Sequence, residues 1–218
     1  KQESVERSGL AETIQAGMGL VIGLVSEACS FRDTRRRHTV DGSDGTVLRE
    51  SPMTHYKLTY FDMDGGRAES IRLAFHIGDI PFEDERWAFP EFGQKRSTLR
   101  FNALPVMTID GAQVTQSNAL NRYVGRLAGL YPQDALQALY CDEALDAVED
   151  IGHQLGRTFG LKGDAMREAR EALVKGPLTC LLKGLDQLLA RGGGQYFADE
   201  RLTVADLKVF VQVRALTA

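Results

Sequence analysis

The sequence predicts an α/β domain followed by an all-α domain. From Tyr56 to Leu127, runs of apolar and aromatic residues suited to short strands alternate with stretches in which apolar residues have helical spacing. After Pro132 the helical spacing continues almost to the end of the chain. A mixed half followed by a helical half indicates two joined domains, and we place their boundaries at residues 54–131 and 133–218.

The composition is that of an ordinary soluble globular protein. The chain has 218 residues, 43% hydrophobic and 26% charged, which is enough length for a substantial core. A net charge of −4 gives no reason to expect nucleic acid or a membrane as a partner. The apolar stretch 16–26 is too short to span a bilayer as a helix and makes a poor secretory signal. Three widely spaced cysteines, Cys29, Cys141 and Cys180, favour a reducing compartment over a disulfide framework.

Residues 1–53 precede the first readable pattern. We interpret them as an N-terminal extension of unknown role and expect it to be poorly ordered. A basic cluster at 35–38 is better explained as a solvated loop beside Asp33 and Asp41 than as a nucleic-acid or targeting patch.

The α/β half begins with a strand, a helix and a second strand. Tyr56–Phe61 is dense in aromatic and apolar residues, as strands are. Ala68–Gly78 carries apolar residues at helical spacing, and its closing glycine ends the predicted helix. Phe82–Trp87 predicts the second strand.

A hairpin and another helix follow. Pro105–Thr115 predicts two strands joined at Asp110-Gly111, a dipeptide typical of tight hairpin turns. Ser117 then caps a predicted helix. The apolar stripe of this helix consists of Ala119, Leu120, Tyr123, Val124 and Leu127. The order β-α-β and then β-β-α is that of a thioredoxin-like domain.

The helical half contains three clear signals. Leu136 to Leu155 have helical spacing, and a second helix begins at Pro177 and ends at the glycines 192–194. Thr203 and Asp206 form a variant capping box that opens the last helix. The capping box supports a fold and says nothing about chemistry.

Tyr60 is the first candidate functional residue. It ends the first strand, before the turn Asp62–Gly66, where thioredoxin-like folds keep their chemistry. A thiol oxidoreductase would have cysteines there, whereas this chain contains no Cys-x-x-Cys. A phenol at this place can donate a hydrogen bond to a thiolate and favour the ionised sulfur. Taken alone, Tyr60 is better explained as a tyrosine of the core.

The residues Lys57-Leu-Thr-Tyr60-Phe61, followed by Gly66-Arg-Ala-Glu, together with Leu104-Pro105 and Gln116-Ser117, resemble cytosolic glutathione transferases. The resemblance is closest to the sigma class, which includes glutathione-dependent prostaglandin D synthases, and it runs from about Tyr56 to the end of the chain. It implies glutathione as co-substrate, a small hydrophobic electrophile as the second substrate, a homodimer and a cytoplasmic location. No metal is expected to be required.

The resemblance also implies roles for individual residues. Tyr60 and Arg67 are the expected catalytic pair, in which Arg67 donates to the thiolate or orients the phenol. Leu104, before a cis Pro105, pairs with the backbone of the tripeptide, and Gln116 with Ser117 holds its γ-glutamyl carboxylate at a helix N-terminus. The remaining expected glutathione-binding residues are Phe92, Arg96, Asn102, Ala103 and Asp150.

Each of these residues also has an ordinary structural explanation. Arg67 can pair with Glu69 or Asp64 at the start of a helix, and Ser117 can be a simple cap. Ala103 and Phe92 stand where the family usually has a polar side chain and a tryptophan, so glutathione binding is expected to be weaker. The carboxylates at 146, 149 and 150 are explained by default as a solvated acidic face. By resemblance, Asp150 instead reaches the ammonium of glutathione in the partner subunit. The cluster also resembles a divalent-metal site of the sigma class, for which these side chains alone are weak support.

The favoured function is conjugation of glutathione to small hydrophobic electrophiles. The alternatives are glutathione-dependent isomerisation, as in prostaglandin D synthases, and a non-catalytic binding or structural role, as in related lens crystallins. Family members usually continue several tens of residues past Ala218, so we expect the all-α domain to be incomplete.

Overall fold

The structure, a computed structural model, describes residues 54–217. The predictions made for residues 1–53 lie outside the described residues. Within the described range, no helix has both the length and the apolar character needed to cross a membrane.

A four-stranded mixed sheet forms the first half. Its strands are β1 (Tyr56–Phe61), β2 (Glu83–Trp87), β3 (Val106–Ile109) and β4 (Ala112–Thr115), in the spatial order β2-β1-β3-β4. β1 runs parallel to β2 and antiparallel to β3, and β3 and β4 form the predicted hairpin across Asp110-Gly111. The thioredoxin-like order predicted from the sequence is therefore confirmed.

Helices cover this sheet. They are α1 (Gly66–Ile77), α2 (Phe89–Lys95) and α3 (Ser117–Leu127), and a 3₁₀ turn at Arg96–Thr98 follows α2. The sequence did not predict α2, because its seven residues FPEFGQK are too few to show a periodicity. None of them is buried, so core packing does not require apolar residues at helical spacing in this segment.

The second half is helical, as predicted. It consists of α4 (Ala135–Gly156), α5 (Gly163–Lys175), α6 (Pro177–Arg191) and α7 (Val204–Thr217). α5 was also missed, and it too has no buried residue. The capping box is confirmed, because Asp206 accepts hydrogen bonds of 2.7 Å from both the backbone N–H and the hydroxyl of Thr203.

The two halves share one core, in which α7 packs against α1, α3 and α4. One predicted detail was wrong. In α3 the apolar stripe does not match the buried face, since Tyr123 and Leu127 are exposed while Ser117 and Asn121 are buried beside Leu120. The side-chain amide of the buried Asn121 donates to the carbonyl of Ser117, one turn earlier in the same helix.

Candidate active site

The strand register brings the predicted site residues to one end of the sheet. Thr59 of β1 lies opposite Val106 of β3, and Val106 lies opposite Thr115 of β4. The residues that follow Thr59, precede Val106 and follow Thr115 therefore emerge together. β2 is parallel to β1 and ends beside it at Trp87, so α2 begins at this same end.

Tyr60 is held by the start of α1. Its side chain is 6% exposed, and its phenolic oxygen accepts a hydrogen bond of 3.1 Å from the backbone N–H of Arg67. Gly66 makes this approach possible, because a Cβ at that position would lie 2.7 Å from the phenolic oxygen. Gly66 also has a φ of 67°, a conformation that other residues rarely adopt. The phenolic oxygen accepts from the helix, so its own proton remains available for another acceptor.

A buried arginine holds the turn between β1 and α1. The guanidinium of Arg72 donates to Asp84 and Glu69, each at 2.9 Å, and to the carbonyl of Met63 at 3.5 Å. Glu69 in turn accepts from the N–H of Gly65 at 3.3 Å. The same guanidinium lies 5.8 Å from the centre of the Tyr60 ring. The sequence analysis did not identify Arg72, because its role depends on contacts with several elements.

Glu149 of α4 joins three elements at the site. One of its carboxylate oxygens accepts from the hydroxyl of Ser117 at 2.6 Å and from the ammonium of Lys208 at 2.5 Å. The other oxygen accepts from Nε of Arg67 at 2.8 Å. We call these four residues, Arg67, Ser117, Glu149 and Lys208, the charged junction.

Electrostatics keep Glu149 ionised. Burial acts to raise the pKa of its carboxyl, but attraction to Lys208 and hydrogen bonds from Lys208, Ser117 and Arg67 outweigh burial and lower that pKa to about 2. The sequence analysis placed Glu149 in an acidic cluster and left it out of the site. It did not identify Lys208, an isolated lysine in an apolar helix.

Arg67 pairs with neither of the carboxylates expected from sequence proximity. Glu69 pairs with Arg72, and Asp64 pairs with Arg86 at 3.3 Å. Arg67 instead crosses from α1 to α4, where Glu149 fixes its guanidinium at the site.

The N-terminus of α3 departs from the prediction. Gln116, not Ser117, occupies the N-cap position, and no side chain caps the helix. Ser117 is the first helical residue, and its hydroxyl donates to Glu149. Gln116 has a φ of 76°, a strained conformation for a residue with a side chain. The first N–H groups of α3 therefore point into the site without a capping oxygen, which makes them suited to an anion.

The bond between Leu104 and Pro105 is cis, as predicted. Among residues 54–217, neither the N–H nor the C=O of Leu104 forms a backbone hydrogen bond outside regular elements, and Leu104 belongs to none. Asn102 has a φ of 50° and donates its N–H to the carbonyl of Leu99, whereas Ala103 is exposed. The backbone of Leu104 thus keeps hydrogen-bonding groups available at the end of the sheet.

Three phenylalanines pack together between the end of β1 and α2. Phe61 follows Tyr60 and contacts Phe89, with ring centres 4.8 Å apart, and Phe92, with ring centres 5.0 Å apart. The guanidinium of Arg96 lies 5.9 Å from the Phe92 ring. Phe92 and Arg96 therefore lie together, beside the strand that carries Tyr60.

Comparison with known proteins supports one family. A family model described as "Glutathione S-transferase, C-terminal domain" matches residues 149–218. "Glutathione S-transferase 3" of Caenorhabditis elegans is 33% identical over 162 residues, which cover 72% of this chain and 78% of that protein. This chain belongs to the glutathione S-transferase family.

Further similar proteins come from sequence and from solved structures. Human hematopoietic prostaglandin D synthase is 37% identical over 154 residues, covering 71% of this chain and 75% of that protein. The structure of prostaglandin synthase D of Nilaparvata lugens matches with a TM-score of 0.67 and 29% identity, covering 75% of this chain and 81% of that one. A sigma-class transferase of Fasciola hepatica matches with a TM-score of 0.68 at 23% identity, covering 76% of this chain and 80% of that one, and this likeness concerns the fold alone.

The acidic residues of α4 do not act as one group. Asp146 accepts from the side-chain amide of Asn118 at 2.5 Å, Glu149 belongs to the charged junction, and Asp150 is exposed. In the part of the chain that the structure describes, no group of three or more His, Cys, Asp or Glu is arranged to hold a metal ion. Within that same part, Asp150 has no ion-pair or hydrogen-bonding partner for its side chain.

Proposed function

We infer that the protein is a glutathione transferase that conjugates the thiolate of glutathione to small hydrophobic electrophiles. Family membership supports glutathione as the co-substrate. The observation that carries the inference is the hydrogen bond from the Arg67 N–H to the phenolic oxygen of Tyr60. It leaves the phenolic proton free to donate to a sulfur, and it makes that proton a better donor because the oxygen already accepts one bond.

The energy of one such bond suffices for the task. A thiol with a pKa of about 8.5 is only a few per cent ionised at neutral pH. Lowering its pKa by about two units requires roughly 2.7 kcal/mol of preference for the thiolate. A hydrogen bond to a charged group contributes about 1.5–3 kcal/mol, so Tyr60 alone supplies much of the activation.

We propose that glutathione lies across the end of the sheet. Its cysteinyl backbone pairs with the free groups of Leu104 before Pro105, in the manner of an added strand, with Asn102 and Ala103 alongside. Its γ-glutamyl carboxylate binds the uncapped N–H groups of Ser117 and its neighbours, with Gln116 assisting. Phe92 and Arg96 flank its glycyl end. The Arg67 guanidinium, fixed by Glu149, contributes positive charge near the thiolate.

Three further properties belong to this proposal. The enzyme works without a metal, since Glu149 and Asp146 are already hydrogen-bonded to Ser117 and Asn118. It forms a homodimer in which Asp150 reaches the glutathione ammonium of the partner subunit. It acts in the cytoplasm. A relative described as monomeric Na-GST-3, from Necator americanus, makes sedimentation of this chain a meaningful test of the dimer.

The test is conjugation of glutathione to a chromogenic electrophile by the wild type and Tyr60→Phe over pH 6–9. We expect Tyr60→Phe to lose most of its turnover at neutral pH while its affinity for glutathione changes little. The loss shrinks as the pH rises, because the unassisted thiol ionises by itself. Equal turnover of the two proteins across this range would contradict the role of Tyr60.

A second candidate is isomerisation of a prostaglandin endoperoxide with glutathione as cofactor. Its support is the similarity to hematopoietic prostaglandin D synthases, which reaches 37% identity for the human protein. Incubation of the wild type with the endoperoxide and glutathione separates the two candidates, since the isomerase returns glutathione unchanged and the transferase consumes it.

A further inference from the structure

Lys208 is a buried cation to which the proposed function gives no task. We propose that Lys208 is a positioning residue: it neutralises and orients Glu149, so that a carboxylate ligand can bind the adjacent N-terminus of α3. This inference rests on the proposed function, in which that ligand group is the γ-glutamyl carboxylate of glutathione.

The position of Lys208 is unusual for a lysine. Its side chain is 5% exposed, and it lies between the buried Leu207 and Val209 in a helix whose other buried residues are almost all apolar. The capping box fixes the start of this helix and hence the direction in which Lys208 points, towards α3 and α4. Its ammonium donates to Asn118 of α3 and to Glu149 of α4.

Stability alone gives little reason for a buried ion pair here. Removing two charges from water costs several kcal/mol per ion, and apolar residues of similar volume often stabilise such a place as well or better. A leucine or methionine at 208 would suit its neighbours on α7. The ion pair is therefore better explained by what Glu149 does at its other contacts.

Glu149 lies where a bare negative charge would oppose ligand binding. Its carboxylate is 2.6 Å from the hydroxyl of Ser117, the first residue of α3, and thus lies beside the N–H groups that are proposed to receive the ligand carboxylate. Like charges this close repel each other strongly in a partly buried site, where water screens them less than in bulk solvent. Because Lys208 and Arg67 both pair with Glu149, the charged junction instead carries one net positive charge and attracts the ligand carboxylate.

The principal variant is Lys208→Met, which keeps most of the volume and removes the charge. The affinity for glutathione is measured by calorimetry, and kcat and KM are measured with a chromogenic electrophile. We expect a Kd about tenfold higher and a similarly raised KM, with little change in kcat at saturating glutathione. A role confined to packing would instead lower the melting temperature and leave the Kd unchanged.

Arg122→Met is the matched control. Arg122 also joins α3 to α4 by an ion pair, with Asp142 at 2.7 Å, but it contacts no member of the charged junction. This variant is expected to bind glutathione as the wild type does. A loss of affinity in Arg122→Met equal to that in Lys208→Met would overturn the proposal, because it would trace the effect to a loosened helix interface.

The double variant Lys208→Met/Glu149→Gln provides the decisive arm, including the case in which Lys208→Met does not fold. The amide introduced at position 149 can accept a hydrogen bond from Arg67 through its carbonyl and donate one to Ser117 through its nitrogen. Because position 149 is then uncharged, removal of Lys208 leaves no unpaired negative charge beside the N-terminus of α3. We expect this variant to bind glutathione close to the wild-type affinity.

The outcomes separate the two proposals. If the double variant folds and its Kd is still raised about tenfold or more over the wild type, neutralisation of Glu149 is not what Lys208 provides. If Lys208→Met binds with the wild-type Kd, the inference is equally overturned while the proposed function stands. If the wild type itself does not bind glutathione, the proposed function fails and takes this inference with it.

Discussion

The two halves of the site are built in different ways. The phenolic oxygen of Tyr60 is positioned by two neighbouring residues at the start of α1. The backbone N–H of Arg67 donates to it, and Gly66 leaves room for it because it has no Cβ. At the charged junction, three side chains from α1, α3 and α7 meet around the carboxylate of Glu149 on α4. The placement of the phenol therefore depends on two neighbouring residues, whereas the charged junction depends on how four helices pack together.

The largest expected effect tests the local half. In Gly66→Ala the new Cβ would lie 2.7 Å from the phenolic oxygen and must displace it. Because misplacing a catalytic group by about 1 Å can cost about 100-fold, we expect kcat/KM for conjugation to fall by about that factor.

Gly65→Ala is the control for this substitution. Gly65 has a φ of 83°, so alanine is strained there as well, but a Cβ would have no atom within 4 Å. We expect it to lower stability by about 1 kcal/mol with a much smaller loss of activity. Equal losses of activity in the two variants would show that backbone strain, rather than the contact with Tyr60, decides the outcome.

The next largest expected effect is a loss of stability at the charged junction. Glu149→Ala leaves the buried Lys208 without its carboxylate, and breaking a buried ion pair costs about 3–5 kcal/mol. Urea unfolding measures this loss. Asp146→Ala, one turn away on α4 and 65% exposed, is expected to lose less than about 1 kcal/mol. Similar losses in both variants would contradict the distinction between the junction and the acidic face around it.

The pH dependence of stability sharpens the same point. The pKa of Glu149 is lowered from its ordinary value of 4.5 to about 2 in the folded protein. Its ionisation therefore stabilises the fold at pH above 4.5, and this contribution is lost as the pH falls from 4.5 towards 2. We expect the difference in unfolding free energy between wild type and Glu149→Gln to be larger at about pH 6 than at about pH 3. A difference that is independent of pH would contradict this account of Glu149.

The last prediction is that removal of divalent metal ions has no effect on activity. Dialysis against a chelator should leave the conjugation rate unchanged, because Glu149 and Asp146 already bind Lys208 and Asn118. Loss of activity that returns on addition of a divalent cation would show that the acidic residues of α4 can exchange these partners for a metal.

The sequence analysis identified the local half of the site more completely than the charged half. The hairpin at Asp110-Gly111 and the Thr203–Asp206 box were predicted because each depends on neighbouring residues, and both are confirmed. The cis bond before Pro105 was expected from the resemblance and is also confirmed. The position of Tyr60 at the end of β1 followed from the strand pattern.

The charged junction could not be predicted, because no periodicity or spacing links residues 67, 117, 149 and 208. The same limit explains why Ser117 was wrongly predicted to cap α3. Serine is a common N-cap residue, but here Gln116 takes that position and the Ser117 hydroxyl donates to Glu149. A lysine inside an otherwise apolar helix was the one available signal, since such a residue must find an anionic partner. The roles assigned to the glutathione-binding residues and the domain boundaries stay predictions.

The central claim is that Tyr60 stabilises a bound thiolate. Ultraviolet difference spectroscopy of the glutathione complex over pH 5–10 measures the thiol pKa directly in the wild type and in Tyr60→Phe. We predict a pKa about two units below that of free glutathione in the wild type, and the loss of most of this lowering in Tyr60→Phe, where the Arg67 guanidinium still lies near the thiolate. The same lowered pKa in both proteins would contradict the claim.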